Sequence, residues 1–211
     1  MGVEMAARGT PTRERASPLA RPVRQTFLFA DLAGFTALTV AGGDELAAEV
    51  ATDFHARVER IASEHGATVV KTLGDGLMAR VEDPMGAVRL GVLIATQVGG
   101  RGGLPPVRVG IHTGEAVERE GDWFGSAVNV AAGLVWTACK GEVLVSESTR
   151  AAAGPPPGIE LRAVGPSTFK DGAEPVEVYS ATPRPAYGEA EGAVDGGTDD
   201  CPPERPCPTR C

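Results

Sequence analysis

Residues 67–81 read ATVVKTLGDGLMARV, two apolar, β-branched runs joined by Leu73-Gly74-Asp75-Gly76. Asp-Gly tolerates the positive φ of tight hairpin turns, so the stretch predicts antiparallel strands at 67–73 and 76–81. Upstream, residues 25–32 (QTFLFADL) read as a buried strand ending on an acid. Residues 44–65 carry Leu46, Val50, Phe54, Val58 and Ile61 at helical spacing, with Asp44 placed to cap the helix. Downstream, the pattern predicts a helix at 84–98, a Gly/Pro loop, a strand at 107–117 and a loop at 118–123. A helix at 125–138, a strand at 142–146 and short strands near Leu161 and at 176–179 complete it. The order β-α-β-β-α-β with extra C-terminal strands is that of a ferredoxin-like α+β sandwich.

The whole chain has 211 residues and a formal net charge of −8, which suits one domain with tails. Residues 1–24 are Arg-, Pro- and Ser-rich, and residues 182–211 are rich in Pro, Gly and acids. Both are expected to be disordered, leaving 25–181 as the folded domain. That middle stretch holds 12 basic and 20 acidic residues, the wrong balance for a nucleic-acid groove. No apolar run is long enough to span a bilayer and no signal peptide is legible, so the expectation is a cytoplasmic protein with neither nucleic-acid nor membrane partners. Cys139 is solitary and Cys201, Cys207 and Cys211 crowd the C-terminus, a pattern unlike a disulfide framework or a paired zinc motif.

Asp31 ends a hydrophobic strand and Asp75 sits at a hairpin tip. If the first strand lies beside that hairpin, both carboxylates reach one edge of the sheet, where they can hold divalent cations and, through them, phosphates. Either acid alone would be an ordinary strand end or turn. The segment after Asp31, Leu-Ala-Gly-Phe-Thr, can present backbone N–H groups to an anion.

The segments FADLAGFTAL (29–38), KTLGDGLMA (71–79), VRVGIHTGE (107–115), DWFGSAVNVAA (122–132), GEVLVSEST (141–149) and FKDGAEPVEVY (169–179) resemble, in order and spacing, the catalytic domain of class III adenylate and guanylate cyclases. The resemblance covers residues 24–181. It implies that Asp31 and Asp75, with the Leu32 carbonyl, hold two divalent cations (Mg²⁺ or Mn²⁺), and that Gly34, Phe35 and Thr36 hold the β- and γ-phosphates. It implies further that Lys71 and Asp122 read the base, that Asn129 orients the ribose, and that Lys170 contacts the triphosphate. A Lys donor to adenine N1 and an Asp acceptor from its N6 amino group suit ATP, whereas guanine would leave both unpaired. The implied reaction converts ATP to 3′,5′-cyclic AMP and pyrophosphate. The implied assembly is a head-to-tail homodimer, or a heterodimer with another cyclase chain.

One departure stands out. Where the family has an Arg one turn after the ribose-orienting Asn, this chain has Gly133. Losing such a contact commonly costs ~10²–10³ in rate, so slow turnover is expected, raised by Gly133→Arg; Lys140 and Arg150 are candidate stand-ins. The alternative is a cyclase-like module that binds nucleotide and regulates a partner. Gly42-Gly43-Asp44-Glu45-Leu46 resembles the signature of diguanylate cyclases, but it runs into a helix pattern and not a hairpin, so it reads as loop and cap. His55, His65 and His112 lack ligand partners at metal spacing and read as packing or surface residues.

Overall fold

The computed structural model describes residues 21–169 and 174–184. Most of the two tails expected to be disordered, and the predicted phosphate contact Lys170, therefore lie outside the described residues. The elements run β1 (Val23–Leu32), α1 (Phe35–Glu64), β2 (Ala67–Leu73), β3 (Gly76–Val81), α2 (Pro84–Leu93), β4 (Val107–Arg119), β5 (Asp122–Phe124), α3 (Ser126–Thr137), β6 (Val143–Ser146), α4 (Glu147–Ala153), β7 (Ile159–Ser167) and β8 (Val176–Pro183). The expected α+β sandwich is present, with the strands in one sheet ordered β2-β3-β1-β4-β6-β8-β7 and β5 hydrogen-bonded to β4 alone. The first four positions in that order are the ferredoxin-like arrangement. All pairings are antiparallel except β4 with β6.

Alternation along the strands sorts side chains to two faces. Leu28, Ala30 and Leu32 of β1, with Val107, Val109 and Ile111 of β4, pack against Phe54, Val58 and Ile61 of α1 and Val88 of α2. On the opposite face Phe27, Phe29, Met78 and Ala116 meet Ala127, Ala131 and Val135 of α3. The helix lies very close to β4 at Gly110: a Cβ there would stand 2.4 Å from the Val135 nitrogen and 2.6 Å from the Ala131 oxygen. Asp31 belongs to the α3 face, in register with Phe27 and Phe29.

Several local expectations are corrected. α1 begins at Phe35, nine residues before the predicted start, and is broken at Gly43 (φ 82°, ψ 169°). The Gly-Gly-Asp stretch thus separates two helical segments; the second begins at Asp44, where the sequence pattern places it, and the short segment before Gly43 is what the pattern does not reveal. The predicted helix at 84–98 ends in a π-helical turn at Ile94–Val98. The predicted loop at 118–123 is a hairpin that puts Asp122 on β5. α4, which the sequence pattern does not reveal, is capped by Ser146, whose hydroxyl accepts from the Thr149 N–H. Among the described residues no helix is long and apolar enough to cross a membrane.

Candidate active site

Asp31 is the register partner of Gly76 on β3 and of Arg108 on β4. The Leu32 N–H donates to the Asp75 carbonyl at 3.2 Å, which ties the end of β1 to the hairpin tip. The His55 ring of α1 is 3.1 Å from the Gly76 carbonyl, a second tether on the same turn. The two predicted metal acids are therefore brought together. The Leu32 side chain is buried in the core, so only its main chain is available to the site.

Burial pushes the Asp31 carboxyl above its ordinary range; the hydrogen bond and charge of Arg108 pull it back, and the Asp75 charge pushes it up again. Arg108 donates to Asp31 and lies over the Trp136 ring, 5.7 Å from its centroid. The Arg108 Nε is buried without a hydrogen-bond partner. Sequence reasoning missed Arg108, although it lies inside the VRVGIHTGE motif. The signal was available: Arg108 interrupts an apolar alternation at the start of a strand antiparallel to β1, which puts a cation opposite the acid that ends β1.

Two converging acids, one already half-neutralised by Arg108, form a donor set suited to hard divalent cations that draw their remaining oxygens from a phosphate chain. Among the described residues no group of three or more His, Cys, Asp or Glu side chains converges, at this site or at any other.

Gly34 caps α1 in the left-handed conformation (φ 82°), which a Cβ would strain. No side chain caps this helix end, which leaves its first N–H groups, at Phe35 and Thr36, without a side-chain acceptor. Thr36 is exposed, whereas the Phe35 ring packs against the core. Of the predicted phosphate-loop residues, Phe35 can thus contribute only its main chain. The Lys140 ammonium stands 4.0 Å from where a Gly34 Cβ would be. Arg150, the other candidate stand-in, bonds Glu147 at 2.6 and 2.7 Å and lies over Tyr179. It belongs to α4, whose Ala153 packs in the α1/α2 core on the sheet face opposite α3, so it cannot stand in near Asn129.

Lys71 and Asp122 meet as an ion pair, with Nζ 2.8 and 2.6 Å from the two carboxylate oxygens. The hydrogen bond from Lys71 holds the Asp122 carboxyl below its ordinary range. Trp123, next to Asp122, packs on Phe27 with ring centroids 5.6 Å apart and so anchors β5 to the sheet. Asn129 is exposed on α3 and lines a cavity of about 360 Å³ with Gly125, Ser126, Val130, Phe169, Glu174 and Val176.

His112, expected to be a packing or surface residue, enters a largely buried polar chain. Its Nδ1 is 2.9 Å from the Ser146 hydroxyl, which in turn lies 3.1 Å from the Thr149 hydroxyl. Thr149 continues to Thr113, and Thr113 to Thr26.

The family model described as the adenylate and guanylate cyclase catalytic domain matches residues 21–182. A pH-sensitive adenylate cyclase of Mycobacterium tuberculosis is 35% identical over 174 residues, covering 80% of this chain and 43% of the relative. An adenylate cyclase of Streptomyces coelicolor is 36% identical over 117 residues, 56% of this chain and 31% of the relative. The chain thus spans less than half the length of these curated relatives. Among solved structures, an adenylate/guanylate cyclase/hydrolase from Silicibacter pomeroyi aligns with a TM-score of 0.67 at 26% identity, over 78% of this chain and 99% of that one. The adenylyl cyclase CyaB of P. aeruginosa shares the fold, with a TM-score of 0.65 at 24% identity over 78% of this chain and 97% of its own.

Proposed function

The chain belongs to the adenylate and guanylate cyclase catalytic-domain family, and on that premise we propose that it is an adenylate cyclase, forming 3′,5′-cyclic AMP and pyrophosphate from ATP. The observation that carries the base assignment is the meeting of Lys71 with Asp122. A cationic donor beside an anionic acceptor matches the N1 and N6 positions of adenine, and guanine at the same edge would oppose donor to donor and acceptor to acceptor.

Asp31 and Asp75 would hold the divalent cations, whose chemistry when bound is to activate the ribose 3′-hydroxyl and neutralise the triphosphate. Arg108, which donates to Asp31, keeps a positive charge beside the metal acids. The α1 N-terminus behind Gly34 offers N–H groups to the outer phosphates, with Lys140 beside it. Asn129 orients the sugar.

The site is proposed to form between two chains. α3 is laid so that Trp136 reaches Arg108, next to Asp31, while Asn129 lies seven residues back toward the helix start, ~10 Å along the axis. A chain's own metal acids and its sugar-orienting residue are thus offset along one face, as a head-to-tail pair with shared sites requires.

A second reading, a nucleotide-binding regulatory module, is favoured by one observation: position 133 carries no cation and its space is occupied by Phe169. The deciding experiment is a cyclase assay on purified protein with Mn²⁺, comparing ATP and GTP. Cyclic AMP formation with ATP preferred supports the enzyme. Nucleotide binding without product supports the module.

A further inference from the structure

Gly133 faces a phenyl ring. A Cβ at Gly133 would lie 2.5 Å from Cδ1, 2.6 Å from Cγ and 2.7 Å from Cβ of Phe169. Because the overlap reaches the Phe169 Cβ, a rotamer change does not clear it; the chain segment after β7 would have to move. The ring is half-buried and packs with Val130 and Val164 around Leu134, Leu144 and Val178. It also lines the same cavity as Asn129.

Resting on the nucleotide reading above, we propose that Phe169 is a positioning residue of the substrate pocket, seated in the notch that Gly133 leaves in α3 and forming the apolar wall beside Asn129 on which the nucleotide's sugar end rests. The glycine is a requirement of that wall and not only the loss of a cation. It follows that Gly133→Arg alone is expected to clash and to leave turnover unraised, the opposite of the expectation drawn from sequence.

The sign of a stability change tests the notch without any assay of activity. In an open helix interior, Gly133→Ala would raise the melting temperature, because Ala is the better helix former. Against Phe169 it is expected to lower it by ~2–4 °C, through overpacking. In a Phe169→Ala background the same change is expected to raise it. A melting temperature raised by Gly133→Ala in the otherwise wild-type protein would overturn the notch.

The wall is tested by titrating a non-cleavable ATP analogue with Mn²⁺ and by steady-state kinetics. Phe169→Ala is expected to weaken analogue binding and raise KM by ~10-fold or more, with kcat changed less and Phe169→Leu recovering most of the loss. Unchanged binding and KM in Phe169→Ala would reduce the ring to a structural role and overturn the proposal. If the wild-type protein binds no nucleotide, the cyclase reading fails and the wall with it, while the stability reversal still reports on the notch.

Discussion

Lys71 and Asp122, 51 residues apart in sequence, form a two-point ion pair between β2 and the short strand β5. Each is half-exposed, so the pair adds little to stability; its consequence is a fixed donor and acceptor side by side. ATP is therefore expected to be preferred over GTP in kcat/KM, and Lys71→Glu with Asp122→Cys is expected to erode that preference. Initial-rate assays with both nucleotides decide it, and a wild-type preference for GTP would contradict the assignment.

Asp31→Ala and Asp75→Ala are each expected to abolish Mn²⁺-dependent turnover while leaving the circular dichroism spectrum native, because both acids sit at element ends. Asp31→Ala also strands Arg108 without its anion, so its melting temperature should fall further than that of Asp75→Ala. Near-full activity in either variant removes the paired-acid reading.

Shared sites predict complementation. Asp31→Ala and Asn129→Ala proteins, each inactive alone, are expected to regain activity when mixed, through hybrid dimers with one intact site. Failure with both variants folded and exchanging subunits places the site within one chain.

His112 gives a pH prediction. Burial, with a smaller push from the charge of Arg24, lowers its pKa from 6.5 to about 4, so the folded protein keeps the ring neutral where the unfolded chain protonates it. The unfolded state then binds more protons, and stability falls as pH drops from 6.5 toward about 4, by at most about 3 kcal/mol from this group. Urea midpoints across that range should fall less steeply in His112→Asn than in the wild type. Parallel slopes would mean that the ring is not held neutral.

The sequence by itself determined the β-α-β-β-α-β core order, though not β5 or α4, together with the 67–81 hairpin and the position of Asp31 at a strand end, because period-two and helical alternation and Asp-Gly turn chemistry are local properties. It also carried the pairing of Lys71 with Asp122, but only through resemblance to a family. Tertiary structure alone decided the rest. Arg108 reads as one more charged residue until β4 is set antiparallel to β1, which makes Asp31 its register partner. Gly133 reads as a deletion of charge until the chain after β7 brings Phe169 against α3, where a Cβ at position 133 would overlap its ring. Arg150 reads as a spare cation until α4 carries it to the other face of the sheet. In each case the deciding contact joins residues distant in sequence, and local patterning holds no record of which side of the sheet a helix will cover or which ring will fill the gap it leaves.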